Sequence, residues 1–204
     1  MSWEERYQQK DTPWDKGAPT PILLRLLKTN SECFEGGDVL VPGCGYGHDA
    51  LAIVNAGHAV IGLDISPTAL AQAKTLDRDR VVDYQEQDFL TAKVEDYQLV
   101  FSVFEHTCFC AITPEERPAY AEACSRLIPV GGYWVAVLFL HPREEDDPTI
   151  GPPYQTSTEE VEALFSADFE LLESFPPTET FSSRKGKELV QIWKRKKASV
   201  PGMT

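Results

Sequence analysis

No apolar run in this 204-residue chain reaches the roughly 18 residues that span a bilayer, and the opening MSWEERYQQK is too polar for a signal peptide. A cytoplasmic location is expected. Positive charge is scarce too: 19 Lys and Arg stand against 32 Asp and Glu, a net charge of −13. Such a balance repels phosphate backbones and anionic membranes, so neither a nucleic-acid nor a membrane partner is expected. The one basic cluster, KRKK at 194–197, reads as part of a solvated tail. The five cysteines (Cys33, Cys44, Cys108, Cys110 and Cys124) are odd in number and lack CxxC spacing, which excludes a disulfide framework and a zinc knuckle. No metal site is expected.

What is present suffices for one core. With 42% hydrophobic residues the chain is long enough for a single domain and short for two. We read one domain over 1–204, with residues 1–30 as an N-terminal helical lid and 194–204 as a tail. Short β-branched or aromatic runs at 39–42, 59–64, 81–86, 97–102 and 133–140 read as strands. Between them, 48–57, 66–76 and 113–128 carry apolar residues at helical spacing, the last two opening with Ser66-Pro67 and Thr113-Pro114. Alternating strands and helices imply a parallel sheet covered on both faces. The C-terminal third differs: a helix at 159–167 precedes strands at 168–175 and 187–195, an antiparallel hairpin joined by a short loop.

The stretch VLVPGCGYGHD (39–49) places Gly43, Gly45 and Gly47 after the first strand and before a helix. Glycines there serve either a tight turn or a loop shaped closely around a ligand. Asp64, ending the second strand, is placed to accept from both hydroxyls of a ribose, or else is a turn residue before the Ser66-Pro67 cap. A nicotinamide dinucleotide and S-adenosylmethionine would both use that pair. The spacing decides between them: the loop is GxGxG rather than GxGxxG, and Asp49 at the helix start opposes a pyrophosphate. Asp88, after the third strand, can accept from an adenine amino group while Phe89 packs on the ring. These strand ends favour S-adenosylmethionine as cofactor.

The segments TPWDKGAPTP, VLVPGCGYGHD, GLDIS, QDF, FCAITPEERPAYAEACSRL and GPPY resemble, in order and over nearly the whole chain, the thiopurine S-methyltransferase superfamily. The likeness is strongest to its thiol and halide methyltransferase branch. The resemblance implies a Rossmann-like α/β fold: a seven-stranded methyltransferase sheet, mostly parallel, with a C-terminal antiparallel hairpin. It also implies cofactor contacts from Trp3, Tyr7, Trp14, Gly43, Asp64, Asp88, Phe89 and His106. The aromatic residues suit a sulfonium, which is drawn to ring faces, or they cap the sheet edge.

Methyl transfer from a sulfonium is an in-line displacement that requires alignment and removal of water rather than a covalent residue. His106 is read either as a base that generates a thiolate or as a contact to the adenosyl group. Tyr154, in GPPY after the acidic loop PREEDDP, reaches the acceptor with its hydroxyl by the family likeness, or anchors its loop. Cys108 and Cys110 read as buried fillers ahead of a catalytic thiolate, and Arg117 either orients an acidic substrate or satisfies Glu115 and Glu116. The expected activity is methyl transfer to a small soft nucleophile (thiol, hydrosulfide, thiocyanate, halide) or an aromatic thiopurine-like thiol. A non-catalytic adenosyl-binding domain and a nicotinamide oxidoreductase are the alternatives.

Overall fold

The computed structural model describes residues 1–141 and 150–197. One seven-stranded sheet is built from β1 (Asp38–Pro42), β2 (Val60–Asp64), β3 (Asp83–Glu86), β4 (Val100–His106), β5 (Tyr133–Phe139), β6 (Phe169–Phe175) and β7 (Glu188–Arg195). Their order is β3-β2-β1-β4-β5-β7-β6. The first five strands are parallel, and β7 lies between β5 and β6, antiparallel to both. The α-helices among the described residues are α1 (Trp3–Gln8), α2 (Pro21–Thr29), α3 (His48–Asn55), α4 (Pro67–Leu76), α5 (Arg117–Leu127) and α6 (Thr158–Phe165). None of them is long and apolar enough to cross a membrane.

Local chemistry sets the element ends. Ser66 caps α4 by accepting from the Ala69 N–H, and Pro67 occupies the first helical position, where no N–H is needed. Thr113 and Glu116 form a capping box around a 3₁₀ turn, Pro114–Glu116, so α5 itself starts only at Arg117. The strand expected at 81–86 begins at Asp83, because the Asp77 carboxylate takes the N–H groups of Val81 and Val82 at 3.1 and 2.9 Å. The strand expected at 97–102 is displaced to 100–106. Tyr97 closes a 3₁₀ turn onto the Val94 carbonyl, and pairing with β5 runs on to His106.

Two further expectations are corrected. The β6–β7 connection is not a short hairpin loop: residues 176–187 include a 3₁₀ turn at Ser182–Arg184. Lys194 and Arg195, placed in a tail from the sequence, pair in β7 with Tyr133 and Phe169, and Arg195 is ion-paired to Asp168 at 2.6 Å. The acidic loop 142–148 and residues 198–204 lie outside the described residues.

A core lies on each face of the sheet. On one face Trp134 stacks on Phe165 with ring centroids 3.8 Å apart and Trp193 and Phe169 packed around them. On the other, Leu23 and Leu26 of α2 pack with Phe34, Val39 and Val135. Because α2 belongs to this core, the part of the N-terminal segment free to cover a ligand ends before it. The sheet order reverses between β1 and β4, the point at which the carboxyl ends of a parallel sheet open a crevice.

Candidate active site

The glycine loop leaves β1 toward that crevice. Gly43, Gly45 and Gly47 have φ of +57°, +55° and +78°, a region in which a Cβ is strained. Space is closed as well: a Cβ on Gly45 would stand 2.9 Å from the Tyr7 hydroxyl, and one on Gly47 only 2.2 Å from that of Tyr84. The loop's nearest neighbours are thus the chain's own side chains, with Cys108 against Gly43. Asp64, 6% exposed, accepts from the Gly45 N–H at 2.8 Å and the Ser66 N–H at 2.9 Å, one on each oxygen. Burial pushes its carboxyl upward, and the backbone donors oppose that shift. Each oxygen keeps a lone pair for a further donor.

A cavity of about 430 Å³ opens beyond these strand ends. It brings together Trp3, Tyr7, Trp14, Gly43, Gly45, Asp64, Asp88, Phe89 and His106, whereas Gly47, against Tyr84, is not part of its lining. Trp3 and Tyr7 both meet Trp14 edge-on, with centroids 5.1 and 5.5 Å apart, and the Trp14 indole N–H donates to the Tyr7 hydroxyl at 3.2 Å. Arg6 lies over the Trp14 ring at 4.4 Å, a cation on an aromatic face. Asp88 is exposed and caps the next turn by accepting from the Leu90 N–H. Phe89 packs on Tyr120 at 4.9 Å while lining the cavity.

His106 sits in a chain of polar groups. Its Nδ1 lies 2.6 Å from Asp49 Oδ2 and its Nε2 2.6 Å from Arg184 Nη1. A guanidinium only donates, so Nε2 accepts and the ring proton is on Nδ1, facing Asp49. Asp49 Oδ1 also accepts from the Thr20 N–H at 2.7 Å. Arg184 is ion-paired to Glu188 at 3.3 Å and donates to the Trp14 carbonyl at 3.0 Å. With Thr180 donating to Glu188, this buried network ties the N-terminal segment, α3, β4 and the β6–β7 loop together. Asp49, Arg184 and Glu188 were not legible as site residues. In the sequence Asp49 reads only as a helix-start acid opposing a pyrophosphate, and Arg184 falls in the segment expected to be a short hairpin loop.

Tyr154 is placed apart from the others. Its N–H donates to the Cys110 carbonyl at 2.7 Å and its ring lies against Gly151, so it borders an adjoining depression and not the cavity that holds His106. Arg117 is 1% exposed and forks onto both Glu160 oxygens at 2.8 and 2.6 Å, which leaves it unavailable to a substrate. Glu105 accepts from the Cys108 and Phe109 N–H groups and the Tyr120 hydroxyl, holding the turn after β4. Burial, then the Glu105 charge, push the Cys108 thiol well above its usual range and that of Cys110 up to about 12, so these thiols are protonated at neutral pH.

The fold is that of the S-adenosylmethionine-dependent methyltransferases. The 1,6-didemethyltoxoflavin-N1-methyltransferase of Burkholderia thailandensis, solved with S-adenosylhomocysteine, superposes with a TM-score of 0.69 at 17% identity, over 95% of this chain and 85% of that one. Within that class, residues 1–200 match the thiopurine S-methyltransferase family, and the chain belongs to it. Probable thiol methyltransferase 2 and thiocyanate methyltransferase 1 of Arabidopsis thaliana are each 34% identical over 199 residues, 95% of this chain and 84% of theirs. The chain is therefore an S-adenosylmethionine-dependent methyltransferase acting on a small molecule. The cavity suits that cofactor: a carboxylate with lone pairs to spare stands at the β2 end, and the aromatic side chains of Trp3, Tyr7 and Trp14 line the same space.

Proposed function

We propose that this methyltransferase acts on a small soft nucleophile, a thiol, hydrosulfide, thiocyanate or halide. The observation that carries the reading is the confinement of the cofactor-type residues and the His106–Arg184 pair to one cavity of about 430 Å³. Asp64 would take the ribose hydroxyls, Asp88 and Phe89 the adenine, and the aromatic segment with Gly43 and Gly45 the remaining sulfonium-bearing part. When bound, S-adenosylmethionine supplies an electrophilic methyl group on a cationic sulfur. The acceptor's place is the other end of the cavity, where Phe139 and Phe181 flank the Arg184 guanidinium at 5.5 and 5.8 Å. The apolar walls strip water from a soft nucleophile, while Arg184, its charge paired with Glu188, holds His106 and the Trp14 carbonyl in place beside it.

His106 acts in this reading as a positioning group. Both its ring nitrogens are engaged, and a base for the acceptor would have to release Arg184 first. An acceptor that arrives as an anion needs no base. The names of the Arabidopsis relatives, a probable thiol methyltransferase and a thiocyanate methyltransferase, support the same acceptor class. Tyr154, outside this cavity, anchors its loop. The free thiols of Cys33, Cys44, Cys108, Cys110 and Cys124 accord with a reducing cytoplasm. The test is kcat/KM for thiocyanate, hydrosulfide, iodide and a thiopurine under one set of conditions. Small anions outpacing the thiopurine are expected, and a thiopurine preferred over all of them would overturn the acceptor assignment.

A further inference from the structure

Glu4 touches neither the cavity nor the depression beside it, yet α1 is fastened to the start of α4 through this side chain. Its Oε2 accepts from the Ser66 hydroxyl at 2.5 Å and the Thr68 N–H at 3.2 Å, and its Oε1 accepts from the Thr68 hydroxyl at 2.5 Å and Gln8 at 2.7 Å. These donors, Ser66 foremost, hold the carboxyl down to about 2, so it is ionised at any working pH. Ser66 does three things at once. It donates to Glu4, caps α4 at the Ala69 N–H, and gives its own N–H to Asp64. Asp64 in turn accepts from Gly45. An unbroken chain of hydrogen bonds therefore runs from α1 to the cofactor carboxylate and the glycine loop.

The residues one before and three after Glu4 are Trp3 and Tyr7, which lie on the cavity. The hold on Glu4 thus fixes where both aromatic side chains stand relative to Asp64. Tyr7 is the one buried residue of α1, so the helix has little core packing to keep it in place by itself.

We propose that Glu4 is a positioning residue for methyl transfer: a latch that sets α1 over the cofactor site in register with Asp64 without contacting ligand. This rests on the cavity's being the S-adenosylmethionine site. A latch of this kind acts on cofactor affinity and on the closed fraction of the enzyme while leaving the fold intact.

The test compares the full-length protein with Glu4→Ala, Glu4→Gln and Thr68→Val, measuring S-adenosylhomocysteine affinity by calorimetry, KM for S-adenosylmethionine, and thermal midpoint. Glu4→Ala should weaken affinity and raise KM by about tenfold, the scale of one lost charged hydrogen bond, with little change in midpoint. Glu4→Gln, which keeps an acceptor oxygen, should recover part of that loss. Thr68→Val should act in the same direction by less. The tryptophan fluorescence response to S-adenosylhomocysteine, reporting Trp3 and Trp14, should shrink in Glu4→Ala. Wild-type affinity and KM in Glu4→Ala would overturn the latch and leave the cofactor site standing. A loss of midpoint with unchanged KM would also overturn it, showing a purely structural contact. Failure of the wild-type protein itself to bind S-adenosylhomocysteine would remove the cofactor assignment, and the latch with it.

Discussion

Replacing Arg184 by methionine removes the contacts to His106 at 2.6 Å, Glu188 at 3.3 Å and the Trp14 carbonyl at 3.0 Å. The Glu188 side chain is 1% exposed, and Thr180 is then its remaining donor in the network. Breaking a buried ion pair on one side costs about 3–5 kcal/mol, because the partner's charge stays buried and uncompensated. For a chain of this size each kcal/mol moves the thermal midpoint by roughly 2–4 °C. Arg184→Met should therefore lower the midpoint by roughly 6–20 °C. The double variant Arg184→Met/Glu188→Gln removes the orphaned charge, so it should recover most of the loss, with a coupling energy of about 2 kcal/mol or more between the positions. Its activity should stay low, since His106 and Trp14 have still lost their donor. Urea and thermal unfolding of the four proteins, wild type, both singles and the double, measure the cycle. A cost under about 1 kcal/mol for Arg184→Met, or strict additivity in the double variant, would refute the account of this network.

Asp64→Ala should weaken S-adenosylhomocysteine binding by about 1.5–3 kcal/mol, the scale of hydrogen bonds to a charged group, and unchanged calorimetric affinity in a folded variant would return Asp64 to a turn residue. His106→Asn should slow thiol and halide methylation alike at every pH; a loss confined to thiols, shrinking as pH passes the thiol pKa, would make His106 the base. Burial raises the Glu105 carboxyl, so its stabilising contribution is complete below the ordinary 4.5 and is lost as pH rises through the raised folded value. Thermal midpoints of Glu105→Gln should accordingly improve relative to wild type as pH increases over that window. With burial raising the thiols of Cys33, Cys44, Cys108, Cys110 and Cys124, alkylation of the native protein near pH 8 should be slow, and all five should label on unfolding.

The sheet was legible because strand and helix periods alternate cleanly up to residue 140, and because each β-strand end carries a residue whose chemistry is local: Gly43 after β1, Asp64 at β2, Asp88 after β3. Proline after Ser66 and Thr113 marked two helix starts for the same reason. The sequence was silent where the determining contact is long-range. Arg184 meets His106 across 78 positions, and the segment carrying it has the composition of a solvated loop. Nothing local marks Glu4 either, because its partners Ser66 and Thr68 lie 62 and 64 positions away. The β3 and β4 boundaries slipped because Asp77 and Val94 capture neighbouring backbone N–H groups that the apolar pattern assigned to strands. Tyr154 was judged from its motif, whereas its position follows from the Cys110 carbonyl that holds its N–H.

The proposed reaction of this cavity is methyl transfer from S-adenosylmethionine to a small soft anion. The most direct measurement incubates the protein with methyl-labelled S-adenosylmethionine and thiocyanate or hydrosulfide, and quantifies the labelled volatile product and S-adenosylhomocysteine together. Both products are expected in equal amounts, abolished or strongly reduced in Asp64→Ala and Arg184→Met. S-adenosylmethionine bound without turnover by any acceptor of the class, or equal product from wild type and Asp64→Ala, would contradict it.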